Sequence, residues 1–138
     1  MRLMGVDYGD ARVGIAVCDG DAKVATAVCT LEVKGMRDAV AKVCEKLRAL
    51  SAEGIVIGLP KNMDGSESFR AEKTRAFAEM LASASGIEPA FTDERLSTVE
   101  AYTYLNITDY NGKKRRRIID ALSAQIILQS YIDKNASV

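Results

Sequence analysis

The chain has 138 residues, with 19 Lys/Arg against 19 Asp/Glu, and 48% of it is hydrophobic. This is the composition of one globular domain over 1–138 and excludes a disordered chain. It contains no histidine, which excludes Ser-His-Asp triads, Cys-His dyads and His-ligated zinc, and leaves carboxylates, thiols, hydroxyls or metals for any catalysis.

The first third reads as strands. Residues 2–8 are apolar and end in Asp7-Tyr8-Gly9-Asp10; 12–18 follow a tight Gly/Asp turn; 24–33 follow a second turn at Asp19-Gly20-Asp21. Short turns between three strands predict an antiparallel meander. Met36, Ala39, Val40, Val43, Leu47 and Leu50 then recur at helical spacing, up to Glu53-Gly54. Ile55-Val56-Ile57 is wholly apolar, which suits a parallel strand buried on both faces. After a loop with Pro60, Asn62 and Gly65, a second helix is predicted with Phe69, Ala76, Phe77, Met80, Leu81 and Ala84 inward, closed by Gly86 and Pro89. Residues 90–94 form a last strand, followed by a capping box at Ser97 and Glu100. A final helix covers about 114–134. The order β-β-β-α-β-α-β-α-α predicts an α/β fold: a mixed five-stranded sheet, three antiparallel strands and then two parallel ones, with helices on both faces.

Cys18, Cys29 and Cys44 form no C-x-x-C and read as free thiols of a reducing compartment, at least two of them serving as small hydrophobes. Asp7 interrupts the first apolar run, so no signal peptide is expected. No run reaches the length of a membrane span, and a cytoplasmic protein without membrane contact is expected.

Three acidic positions stand out. Asp7 ends the first strand between Gly5 and Gly9, and the Asp93-Glu94 pair ends the last strand. Ligands of such sheets bind outside the C-terminal strand ends. Asp120 shares a helical face with Ala124, Ile127 and Tyr131, so it tops an apolar stripe, where a carboxylate is costly without a partner or cation. Each acid has a plain alternative: a turn-former, a solvated strand end, an acid at a helix start. Together they suggest a cluster of like charges that only a cation stabilises. Without His or paired Cys, that cation is a hard one, Mg²⁺ or Mn²⁺, and two such ions support in-line hydrolysis of a phosphodiester.

The zero net charge hides a dipole. From Gly112 onward there are six Lys/Arg and two Asp, including the run Lys113, Lys114, Arg115, Arg116 and Arg117; the preceding residues are net acidic. Cations at a helix start oppose the macrodipole, and such a run suits phosphate-backbone contact. Lys61, Asn62 and Arg95 lie on the same sheet edge as the acids and are further candidates for phosphate contact. Tyr102, Tyr104 and Tyr110 are candidates for base stacking, though core roles suit the first two better.

Four motifs occur in order: Asp7-Tyr8-Gly9-Asp10-Ala11-Arg12-Val13-Gly14, Gly58-Leu59-Pro60-Lys61-Asn62-Met63-Asp64-Gly65-Ser66, Asp93-Glu94-Arg95-Leu96-Ser97-Thr98 and Ile119-Asp120-Ala121. The ordered set resembles the bacterial YqgF (RuvX) family across nearly the whole chain. The resemblance implies an RNase H-like fold. It also implies either nuclease action on the 5′ end of pre-16S ribosomal RNA or, as the family was first described, Holliday junction resolution. It implies metal ligation by Asp7, Glu94 and Asp120, with Asp93 as the alternative to Glu94, since alternation lets only one of the pair point inward. Structured RNA, branched DNA and the ribosome are the implied partners. Lys61 and Ser123 depart from the family pattern, which more often has an apolar residue and Ala there.

Three readings compete: a metal-dependent RNA nuclease, a junction resolvase, and a non-catalytic RNA- or ribosome-binding module that keeps the acids as relics. An ATPase of the actin and sugar-kinase type also begins with D-x-G, but it needs two such domains, and 138 residues supply one.

Overall fold

A computed structural model describes residues 1–21, 23–61, 64, 66–93 and 112–136, with backbone alone for 112–117 and 136. The strands are β1 (Leu3–Tyr8), β2 (Arg12–Cys18), β3 (Ala25–Glu32), β4 (Gly54–Leu59) and β5 (Ala90–Asp93). The helices are α1 (Met36–Ala49), α2 (Phe69–Ser85) and, at the end of the chain, α3 (Gly112–Ala136). The expected capping box at Ser97 and Glu100 and the three tyrosines lie outside the described residues.

The sheet order is β3-β2-β1-β4-β5. β1, β2 and β3 pair antiparallel, and β4 adds parallel to β1 and β5 parallel to β4. The predicted mixed sheet, three antiparallel strands then two parallel, is the one observed. Tight turns force the first three strands antiparallel, and the crossover helices permit the parallel additions.

Strand alternation divides the core in two. Met4, Val6, Tyr8, Val13, Ile15, Ile55 and Ile57 project to one face and pack with α1 and α2. Ala16, Cys18, Ala25 and Val56 project to the other face, under Ala124, Ile127, Leu128 and Ile132 of α3. Helices therefore cover both faces, as the period-two pattern of each strand requires. Tyr8 stacks on Phe77 of α2, with centroids 4.3 Å apart, a pair worth about 0.5–1.5 kcal/mol beyond its buried area.

The inner stripe of α2 differs from the expected one. Ala71, Thr74, Phe77, Ala78 and Leu81 are buried, whereas Phe69, Ala76, Met80 and Ala84 are exposed. Small apolar residues occur all around this helix, so periodicity alone does not fix its phase. The fit of Phe77 against Tyr8 does.

α3 lies across β1, β2 and β3 and ties down the edge of the sheet. Gln129 Oε1 accepts the Ala25 N–H at 2.8 Å, and its Nε2 donates to the Lys23 carbonyl. Cys18 and Cys44 are buried, Cys29 is partly so, and all three are free thiols, as expected. Among the described residues no helix is long and apolar enough to cross a membrane.

Ser123 on α3 is 1% exposed, and its hydroxyl has no hydrogen-bond partner among the described residues. Ser123→Ala is therefore expected to raise stability by about 1 kcal/mol, because it removes an uncompensated buried hydroxyl. A urea midpoint at or below wild type would contradict this.

Candidate active site

The site begins at the β1–β2 hairpin. Antiparallel register sets Asp7 opposite Gly14 and Tyr8 opposite Val13. Tyr8 enters the α1/α2 core, so Asp7, one residue earlier, faces the α3 side. Gly5, two residues before it, confirms that phase: a Cβ there would lie 2.8 Å from both the Ala124 carbonyl and Leu128 Cβ of α3.

Gly14 sets the height of α3 over the sheet. A Cβ at Gly14 would overlap the Asp120 carbonyl, so the helix backbone rests directly on β2 beside Asp7. The missing side chain makes a notch, and α3 drops into it. Asp7 and Asp120 consequently line one cleft of about 320 Å³ together with Asp10, Arg12, Arg70, Lys73 and Thr74.

Asp120 has 19% of its side chain exposed and accepts a hydrogen bond from Arg12 Nε at 2.7 Å. Burial pushes its carboxyl above the usual carboxylate range, and this outweighs the opposing pull of the Arg12 and Arg70 charges. The ionised form is thus short of positive charge even with a guanidinium attached. Oxygen donors in that condition fit a hard divalent cation. Among the described residues no group of three acids is close enough to hold a metal, so Asp7 and Asp120 are the part of the expected triad that the described cleft brings together.

The remaining sequence candidates divide. Glu94, Arg95 and Asn62 lie outside the described residues. Asp93 pairs in register with Leu59, which puts it on the face of Ile55 and Ile57. Its neighbour Phe91 is on that face too, with the Arg75 guanidinium of α2 5.2 Å from the ring centroid. Asp93 therefore projects to the α2 side of the sheet and Asp7 to the α3 side. Lys61 forms an isolated antiparallel bridge with Glu67 and does not line the cleft. Lys113, Lys114, Arg115, Arg116 and Arg117 fall in the first turns of α3, where only the backbone is described.

Sequence reasoning missed Arg12, Arg70 and Lys73 as site residues. Arg12 sits inside the Asp7 motif. Arg70 and Lys73 are three apart on α2, hence on one helix face. That spacing was legible, but α2's position over the end of β1 was not. Lys73 reaches Asp10 at 3.3 Å in an exposed pair that contributes little by itself.

The family model described as "RuvX: Holliday junction resolvase" matches residues 1–134. A protein of Pelotomaculum thermopropionicum, named as a candidate pre-16S rRNA nuclease, is 41% identical over 134 residues, covering 96% of this chain and 87% of its own. A Halothermothrix orenii protein of the same name is 41% identical over 133 residues, covering 96% and 95%. Among solved structures, Thermus thermophilus RuvC in complex with a Holliday junction substrate superposes with a TM-score of 0.63 at 12% identity, over 100% of this chain and 97% of that one. The fowlpox virus resolvase bound to Holliday junction DNA gives 0.59 at 12%, over 98% and 99%. At such identities the likeness is one of fold, the RuvC-type, RNase H-like fold. With a match over 1–134 and relatives at 41% identity, the chain belongs to the RuvX family.

Proposed function

We propose that this chain, as one nuclease domain over 1–138, hydrolyses phosphodiester bonds during 5′-end maturation of pre-16S ribosomal RNA, in the cytoplasm and on ribosome precursors. The observation that carries the reading is the convergence of Asp7 and Asp120, from β1 and α3, in a cleft rimmed by Arg12, Arg70 and Lys73. The names of the relatives point the same way.

Asp7, Glu94 and Asp120 are the residues to hold Mg²⁺ or Mn²⁺, two ions in all. The placement of Asp93 on the opposite face from Asp7 counts against Asp93 and so supports Glu94 as the middle ligand. The bound ions supply Lewis-acid charge for attack by water and departure of the 3′ or 5′ oxygen. The chain's own residues do the rest. Arg12 fixes the Asp120 carboxylate through its Nε. Lys61, Asn62, Arg95 and the run Lys113, Lys114, Arg115, Arg116 and Arg117 hold the RNA backbone by charge.

A second reading, resolution of branched DNA, is supported by the fold shared with RuvC. A four-way junction needs two cuts and hence two sites in a C2 dimer. The test is a divalent-dependent cleavage assay offering a precursor 16S 5′ leader and a four-way DNA junction to wild type and Asp7→Asn. Cleavage of the leader by wild type alone is expected. Junction cleavage by a dimer would favour the second reading. Cleavage by Asp7→Asn at the wild-type rate would refute both, and binding without cleavage of any substrate would leave a non-catalytic RNA-binding module.

A further inference from the structure

Phe69, the first residue of α2, has 69% of its surface exposed, although it is the largest apolar side chain of its turn. An exposed aromatic ring beside a charged cleft offers a flat apolar face on which another ring can stack. Lys73, one helical turn on, lies with its ammonium 5.0 Å from the Phe69 ring centroid and also lines the carboxylate cleft. Lys73 therefore links the ring to the edge of the cleft.

The two cations of this face are loosely held. Arg70 is exposed and forms no ion pair among the described residues, yet its charge reaches Asp120. Lys73, besides its place over the Phe69 ring, has one long, exposed ion pair among the described residues, with Asp10. Arg75, further along the same helix, is by contrast locked to Glu67 by two bonds of 2.7 Å. An aromatic ring flanked by weakly held cations matches a single nucleic-acid strand: the ring's open π-face takes an unpaired base and the cations take its phosphates. A duplex has its base faces already stacked.

We infer that Phe69, Arg70 and Lys73 form a grip for single-stranded RNA, with a base on Phe69 and adjacent phosphates on Arg70 and Lys73, feeding the strand into the cleft of Asp7 and Asp120. The grip rests on the nuclease reading for its purpose, but it is a binding site that can be measured without metal or cleavage.

The chain has no tryptophan, so Phe69→Trp introduces a single indole. In EDTA, a short single-stranded RNA is expected to quench its emission, and a blunt RNA duplex of equal length is not. By anisotropy of the same labelled RNAs, Phe69→Ala weakens single-strand binding on the order of tenfold with an unchanged salt slope, and Phe69→Tyr restores it. Arg70→Gln with Lys73→Gln lowers the slope of log affinity against log salt by about 1.4, for two phosphate contacts. Phe69 is exposed, so the melting temperature serves as a folding control. Unquenched indole emission, wild-type affinity in Phe69→Ala, or equal loss on duplex and single strand overturns the grip. Loss of the grip with cleavage still abolished by Asp7→Asn leaves the nuclease reading standing. Cleavage that survives Asp7→Asn, with the grip intact, removes the nuclease reading alone.

Discussion

Asp120→Asn is expected to lower divalent-dependent RNA cleavage on the order of 10³-fold while the protein stays folded. The replacement has the same shape and still offers Arg12 an oxygen acceptor, so the 2.7 Å contact survives as a neutral hydrogen bond. It removes a carboxylate that burial already disfavours, so no large loss of stability follows. On the proposed reading it takes away a negative ligand, and affinity for a divalent ion is expected to fall with it. Cleavage of labelled RNA, Mn²⁺ binding by calorimetry and a thermal melt separate these effects. Asp21→Asn, at an exposed turn outside the cleft, is the control and should behave as wild type. Cleavage by Asp120→Asn within tenfold of wild type would sink the assignment of Asp120.

Gly14→Ala is expected to destabilise the fold by about 3 kcal/mol and to abolish cleavage as well. The new methyl would meet the Asp120 carbonyl and lie 3.1 Å from the Ala121 nitrogen. Both are backbone atoms, so no rotamer change relieves the overlap. α3 has to lift, and lifting it opens the contacts of Ala124, Ile127 and Leu128 with the sheet while drawing Asp120 away from Asp7. Gly20→Ala is the matched control. Nothing lies within 4 Å of a Cβ there, and its effect should stay within about 0.5 kcal/mol. Equal urea midpoints for Gly14→Ala and Gly20→Ala would show that α3 does not rest on β2 in solution.

Much of the architecture was readable from local chemistry. The turns around Gly9 and Gly20 forced a meander, and the wholly apolar Ile55-Val56-Ile57 marked a strand buried on both faces. Helical spacing placed Ala124, Ile127 and Tyr131 inward on α3, and the first two are almost wholly buried, with Tyr131 packed beside them. Where several apolar residues competed for one helix face, the reading failed. Periodicity assigns Phe69 and Met80 to the core, and both are exposed, because the stack of Phe77 on Tyr8 sets the rotation of α2. Phe69 is also the residue on which the proposed grip depends. The cations Arg70 and Lys73 read as an ordinary solvated face, because their meaning lies in what the helix faces and not in their spacing.

The division between the two kinds of information follows chain distance. Element order, the mixed sheet and the family resemblance all follow from neighbouring residues and composition, as does the exclusion of imidazole chemistry in a chain without histidine. Only the tertiary structure decided that Asp120 meets Arg12 across 108 positions, that Asp93 projects to the other side of the sheet from Asp7, and that α2 contributes cations to the cleft. Those outcomes depend on the register of β4 against β5 and on a helix resting in the notch at Gly14, contacts between segments that carry no local signal of one another.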